Sequence, residues 1–358
     1  MNVIDLTLQR VGAAPDGQAV YRRIDKSNPA CIASPGTVTA LSPVAGCVRT
    51  TSDLELTNNP GGYQSVISFD VTKSYDFGLD WTLGYAHTDS RDRTPITSST
   101  ASSNYTNNTA VDFNNLSLAN SNYEIPNRVT LQLAYHHAFF ENFNTRVTLT
   151  GQAYQSKPYT FTFASFSGVA GVFASDGAFG DNTSFAHPLY VPKAPGAADD
   201  PLVTYSAAFL VKNGPNDMSG LDELNQLIDA YHLPRGATLS RNQFEGQWSN
   251  KFDLKLEQEL PGGFAGAKTT GFLTIENVGN LLNDHWGQVY EAAFPSRSAT
   301  VAASINSSGQ YVYQYPSNSN ASSNSLITSN PPAWVAKAEQ IVPGASYWTV
   351  KFGVKYAF

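Results

Sequence analysis

The sequence predicts an all-β fold of about eight membrane-length antiparallel strands, of the kind that cross an outer membrane as a β-barrel, with short turns at one end and long loops at the other. Three observations carry this reading. The chain ends in an unbroken alternation: Trp348, Val350, Phe352, Val354, Tyr356 and Phe358 share one apolar face, and Tyr347, Thr349, Lys351, Gly353, Lys355 and Ala357 share the other. Segments of the same period recur upstream at roughly the 9 to 11 residues that a strand tilted across hydrocarbon needs. Their connections alternate between short and long, whereas loops beyond about 15 residues are uncommon in compact soluble domains and a β-sandwich mixes its connections without such parity.

Composition narrows the class. Of 358 residues, 41% are hydrophobic and only 14% charged, with Tyr 18, Phe 20 and Trp 5, which fits neither a disordered polyelectrolyte nor an ordinary cytosolic enzyme. A net charge of -7 with Lys+Arg at 22 leaves no basic stripe for phosphates, so nucleic acid is excluded as an expected partner. The longest apolar runs, such as Ala207 to Val211, fall far short of the roughly 20 residues of a membrane helix.

In chain order, Asn2 to Arg10 reads as the first strand, with Val3, Asp5, Thr7 and Gln9 opposite Ile4, Leu6, Leu8 and Arg10. No export signal precedes it, so a barrel strand here implies a piece of a longer protein. Cys31 and Cys47 lie in one Pro/Gly/Ser-rich stretch without further Cys or His nearby. A disulfide is therefore expected rather than a zinc site, contributing on the order of 3 kcal/mol in the chain-entropy model, with two free thiols as the alternative.

Tyr63 to Ser74 sets Tyr63, Ile67, Phe69 and Val71 against Gln64, Ser68, Asp70 and Thr72. A tight turn at Tyr75 to Gly78 leads to Leu79 to Asp89, where Leu79, Trp81, Leu83 and Tyr85 oppose Asp80, Thr82, Gly84 and Thr88. Beyond the polar loop Ser90 to Pro126 come Arg128 to Phe139 and Thr145 to Gln155, with His136 on the polar face and His137 on the apolar one. After the excursion Ser156 to Trp248, Asn250 to Leu260 places Phe252, Leu254 and Leu256 opposite Lys251, Asp253, Lys255, Glu257 and Glu259. That charged row is expected to face a wet lumen, as a solvated wall or as a ligand track. The turn Pro261, Gly262, Gly263, the strand Thr269 to Asn277, the loop Gly279 to Ala345 and the terminal strand complete the series.

Tyr75, Phe77, Phe139, Phe140, Phe143 and Phe264 gather at the short turns, where an aromatic girdle meets headgroups, or where core aromatics simply flank turns. Within the long loop, Ser219 is placed to cap a helix running to Tyr231, with Leu221, Leu224, Leu227, Ile228 and Tyr231 along one side. Pro331 and Pro332 are placed to start another over Ala333 to Gln340. His87, His136, His137, His187, His232 and His285 sit in no G-x-S-x-G or H-E-x-x-H context, so neither catalysis nor a metal or other cofactor is expected.

The run Ile275, Glu276, Asn277, Val278, Gly279, Asn280, Leu281, Leu282, Asn283, with Trp286 and Gly287 after it, resembles the E-N-x-G-N-L-L-N-x-x-W-G segment of TonB-dependent outer-membrane transporters of the Oar-like group. Pro234, Arg235, Gly236, Arg241 and Asn242, followed by Trp248, Asn250, Asp253, Leu254, Gln258 and Glu259, are similar to that group's R-G … R-N … W-x-N-x-x-D-L-x-x-x-Q-E stretch. Leu56, Thr57, Asn58 and Asn59 with Gly62 and Tyr63 resemble its L-T-N … G-Y entry, and Tyr356, Ala357 and Phe358 its aromatic ending.

The resemblance implies that residues 1–358 are the C-terminal portion of a barrel of about 22 strands in the outer membrane of a Gram-negative bacterium, lacking the plug, the TonB-contacting box and the first strands. The implied function is a receptor and transporter segment that supplies barrel wall and ligand-contacting extracellular loops and does not transport alone. Trp348, Val350, Phe352, Val354, Tyr356 and Phe358 would carry the signal read by the barrel-assembly machinery. Expected partners are outer-membrane lipid, that machinery, an extracellular ligand, and TonB only through the absent part. A small autonomous outer-membrane barrel with a structural or adhesive role, and a secreted β-rich binding protein, remain open. As an isolated chain, an open curved sheet is expected rather than a sealed small barrel, with Asn2 to Arg10 as an exposed edge unless it meets Tyr347 to Phe358.

Overall fold

The computed structural model describes residues 2–40, 42–49, 51–164, 179, 186–193, 200–212, 218–262, 267–316 and 338–357. Seven long strands form one antiparallel sheet: β1 (Tyr63–Ser74), β2 (Leu79–Asp92), β3 (Asn127–Phe140), β4 (Phe143–Gln155), β5 (Trp248–Pro261), β6 (Lys268–Glu276) and β7 (Thr349–Ala357). Each pairs with the next in chain order. A two-residue strand, Ala119–Asn120, continues the β3 side of β2. Among the described residues β1 and β7 are edges that do not pair with each other, so the sheet is open.

Turn chemistry explains the neighbour-to-neighbour order. At the β1–β2 turn Gly78 has φ +93°, and its N–H donates to the Tyr75 carbonyl at 2.9 Å. A Cβ there would run into the His136 carbonyl oxygen, so β3 can approach only because position 78 is glycine. Ser156 N–H donates to the Gln247 carbonyl at 3.0 Å, extending the β4–β5 ladder by one step and closing the neck of the 156–247 loop.

The segments joining the other ends of the strands build a second body with its own core. Phe161, Phe163, Phe209, Leu224, Leu227, Tyr311 and Tyr313 are fully buried in it. Short strands stitch the loops to one another: Thr160–Thr162 lies parallel to Arg297–Ala299, and Val203–Tyr205 lies parallel to Tyr311–Gln314, which also pairs with Ala302–Ile305. The helix Gly220–Ala230 starts at Ser219 as expected. Ser219 Oγ accepts from the Asp222 N–H at 3.2 Å and the Asp222 carboxylate accepts from the Ser219 N–H at 3.3 Å. Its Leu224, Leu227 and Ile228 enter the core, with Leu221 and Tyr231 packed against it.

The expected first strand is corrected. Asn2 to Arg10 does not join the sheet but splits into Asn2–Asp5, paired with Leu54–Thr57, and Leu8–Ala13, paired with Ala19–Arg23. The break lies at Asp5, whose Oδ1 accepts from both the N–H (2.9 Å) and the hydroxyl (2.6 Å) of Thr7, turning the chain. Asp5 and Arg23 are buried 3.7 Å apart, so this segment belongs inside the loop body, and the exposed edge is β1. Among the described residues the long strands therefore number seven, not eight. The helix expected over Ala333 to Gln340 falls mostly outside the described residues. Its described end is extended, with Glu339–Ile341 pairing with Tyr290–Ala292.

Cys31 and Cys47 are joined in a disulfide, Cα to Cα 5.3 Å, and both are buried beside Ile24. Asn28 caps the short helix Pro29–Ala33 that carries Cys31.

Candidate functional site

The sheet register converts strand alternation into two continuous surfaces. One row runs Trp81, Leu133, Leu149, Leu254, Ile275 and Val350 across six strands. The next runs Leu79, Tyr135, Val147, Leu256, Leu273 and Phe352. This apolar face is open to the surroundings: on the edge strands Ile67 is 67%, Phe352 86% and Val354 70% exposed, and along most of the inner strands the row residues are half-buried, shielded by one another. Gly151 fits beneath the ring of Phe252, which fills the place a Cβ would need.

Aromatic residues border this face at both ends. At the turn end Tyr75, Phe77, Phe139 and Phe140 are exposed, Phe143 is half-buried, and Phe264 lies outside the described residues. At the loop end Trp248 and Trp348 stand on the same parity and are exposed, as are Tyr347 and Trp286. This second border was missed because these side chains sit at or just outside the strand ends. Two tryptophans entering strands on the apolar parity were the available signal. Of the terminal face, Trp348, Val350, Phe352, Val354 and Tyr356 are exposed, and Phe358 lies outside the described residues.

The opposite face carries the charges. Lys251, Asp253, Lys255, Glu257 and Glu259 share it and are half-buried, whereas on the other face of the same strand Phe252, Leu256 and Leu260 are exposed and Leu254 is half-buried. Lys255 Nζ donates to Glu257 Oε1 at 2.7 Å and stands 5.8 Å from the Phe272 ring. Glu259 accepts from the Asn144 N–H at 3.0 Å, Asp253 accepts from the Asn277 N–H at 2.7 Å, and Lys351 pairs with Glu276. Near the turns, Asp80, His136, Asn144, Arg146, Glu257, Glu259 and Thr270 line an open cleft of about 340 Å³. His136 Nδ1 lies 3.8 Å from Asp80 Oδ2. Such a cleft offers donors and acceptors of both signs to a polar surface. Among the described residues no three His, Cys, Asp or Glu side chains are grouped to hold a metal, and no helix is long and apolar enough to cross a membrane.

The loop-end motifs are structural hubs. Arg241 is buried and donates to Asp92 Oδ1 at 2.8 Å and to the Ala119 carbonyl at 3.4 Å; its desolvation pulls the guanidinium pKa down against the Asp92 charge. Asn242, at φ +55°, donates through Nδ2 to the Asn120 carbonyl (2.7 Å) and Asn122 Oδ1 (2.6 Å), and its N–H donates to Thr160 Oγ1 (2.7 Å). The bonds to Asp92, Ala119, Asn120 and Asn122 fasten the 156–247 loop to the end of β2 and the loop after it, and the bond to Thr160 ties the 156–247 loop to itself. Asn277 Nδ2 donates to the carbonyls of Gly287 (2.9 Å) and Ser346 (2.6 Å). Because the Asn277 N–H reaches Asp253, the two motif segments at Trp248–Asp253 and Glu276–Gly287 meet at one corner.

No family model, no curated protein and no solved structure matches this chain.

Proposed function

We propose that this chain is wall and outer loops of an outer-membrane β-barrel, a receptor and transporter segment of the TonB-dependent kind, with the apolar face toward lipid and the charged face toward a wet interior. The observation that carries the reading is the uncovered apolar face spanning seven strands, bordered by aromatics at both ends. A soluble monomer rarely leaves a contiguous patch beyond a few hundred Å² uncovered. From Trp248 to Leu260 a strand rises roughly 40 Å along its axis, which at a tilt of about 45° covers roughly 28 Å, the thickness of a hydrocarbon core. Long connections at one end and short ones at the other agree with extracellular loops and periplasmic turns.

Strand count bears on closure. With seven antiparallel strands, β1 and β7 run in the same direction, so joining them would require a parallel pair. Antiparallel closure needs an odd number of further strands. This favours a wall segment of a wider barrel over a small autonomous one. The TonB-dependent assignment rests on the resemblance of the Pro234–Trp286 motifs and the aromatic ending. Under it the chain supplies wall and ligand-contacting loops, with the assembly machinery reading the terminal aromatics.

The test is cell fractionation with protease shaving. The chain is expected in urea-resistant outer membranes, cleaved from outside only within the loop segments; recovery in the soluble fraction overturns the membrane reading. Expressed alone with an export signal, it is expected to give no energy-dependent uptake of any substrate, and accumulation of one would overturn the segment reading.

A further inference from the structure

The corner Asn277–Gly287 is built unlike the rest of the loop end. Two buried asparagines turn inward: Asn277 serves Asp253, Gly287 and Ser346, and Asn280 Nδ2 donates to the carbonyls of Asp284 (2.9 Å) and Trp286 (3.0 Å). Two left-handed residues, Asn277 (φ +54°) and Gly287 (φ +64°), set where the corner begins and ends. A Cβ on Gly287 would collide with the Asn277 amide, so the conformation depends on that glycine. The large apolar side chains turn outward instead, with Leu281 39%, Leu282 73% and Trp286 57% exposed. Exposed Asp284 and His285 sit between them, 3.7 Å apart.

A soluble corner with this much hydrogen bonding has no reason to present Leu282 and Trp286 to water. We propose that it is an interfacial anchor, a rigid knob whose leucines and tryptophan lie in the acyl-to-headgroup zone of the outer leaflet while Asp284 and His285 stay among headgroups. This inference rests on the membrane reading of the sheet. Lipid is the occupant because the corner adjoins the uncovered apolar face: the Asn277 side chain holds the Ser346 carbonyl, and Tyr347 and Trp348 follow at once, both exposed. Indole at that depth is favourable because its ring is apolar and its N–H remains wet. A knob tied by hydrogen bonds to β5 and to the entry of β7 fixes the height of those strands in the bilayer, which flexible loops cannot do.

Depth-resolved fluorescence quenching tests it. The protein isolated from outer membranes is reconstituted into phosphatidylcholine vesicles brominated either near the glycerol end or near the methyl end of the acyl chain. With the other tryptophans replaced by Phe, Trp286 is expected to lose at least half its emission to the shallow bromines and little to the deep ones. In a tryptophan-free background, Leu254→Trp reports the sheet face and is expected to be quenched by the deep bromines. Quenching of Leu254→Trp without quenching of Trp286 overturns the anchor and leaves the sheet reading standing. Failure of both overturns the sheet reading and the anchor with it. Leu282→Asp, at an exposed site that leaves folding intact, is expected to weaken the shallow quenching of Trp286 at least twofold; unchanged quenching in that variant counts against the anchor.

Discussion

The sheet and the loop body of this one chain solve opposite problems. In the sheet, large apolar side chains such as Ile67, Phe352 and Val354 stand uncovered, and order comes from the backbone ladder of neighbouring strands. In the loop body Phe161, Leu224 and Tyr313 are sealed inside, and charged or polar groups such as Arg241, Asp5 and Asn242 are buried and paired. On the proposed membrane reading, each region is adapted to a different surrounding medium. One buries oil against itself, as proteins in water do; the other presents oil outward, as a face that meets an apolar surrounding would.

The largest effect expected from breaking this contrast is in the loop core. Leu227→Ala empties a fully buried site and should destabilise by about 4 kcal/mol in chemical unfolding, and a loss under about 1 kcal/mol would mean that the loop body is not a packed core.

Leu254→Arg puts a charge on the outward face and should cost about 3 kcal/mol in lipid, while Lys255→Ala on the opposite face should change stability by less than about 0.5 kcal/mol. Equal values from unfolding titrations in bilayers would reverse the assignment of faces.

Cys31→Ser should cost about 2 kcal/mol rather than the roughly 3 of an unrestrained loop. The Asp25 N–H to Cys47 carbonyl bond (2.9 Å) and the pairing of Asn2–Asp5 with Leu54–Thr57 already hold the loop ends. Mass spectrometry of non-reduced peptides should find Cys31 and Cys47 linked, and free thiols in protein taken from membranes would break the prediction.

The smallest effect is one of pH. Burial holds the Glu124 carboxyl above its ordinary range, only partly opposed by the hydrogen bond from the Ser90 N–H at 3.1 Å, and the Asp89 charge adds to the rise. A raised folded-state pKa means that folding favours the protonated form. The penalty is absent below the unfolded-state value, grows as pH rises from there through the folded value, and is full above it. Glu124→Gln should therefore stabilise the protein by about 1 kcal/mol at neutral pH and by almost nothing near pH 4, measured by thermal unfolding across that range. A pH-independent difference would place the effect elsewhere.

Much of the sheet was legible because period-two alternation survives without knowledge of the partners. The same signal misled at Asn2 to Arg10, where the alternation is present but Asp5 accepts two hydrogen bonds from Thr7 and breaks the strand. Alternation reports a strand's faces and is silent on which sheet it joins. The Ser219 cap and its helix were legible for a local reason, since every contact that sets the start lies within three residues. By contrast, the cleft of Asp80, His136, Arg146 and Glu257 arises only from the register of four strands whose members lie far apart in the chain. Arg241, Asn242 and Asn277 were visible as motif residues, but their bonds to Asp92, Asn120 and Ser346 are products of the tertiary fold.

The neck at Ser156 and Gln247 has a consequence for how such a protein diversifies. Because the ladder closes at that point, the sheet is indifferent to how many residues are threaded through it, and lengthening a loop costs only slowly more chain entropy. The loops are not indifferent to one another, since Thr160–Thr162 leans on Arg297–Ala299 and Asn242 on Asn120. A graft of one loop from another protein would leave the strands in register and strand the remaining loops without their partners. The part that could be exchanged at this end without losing those contacts is the whole set of loops, above an unchanged sheet.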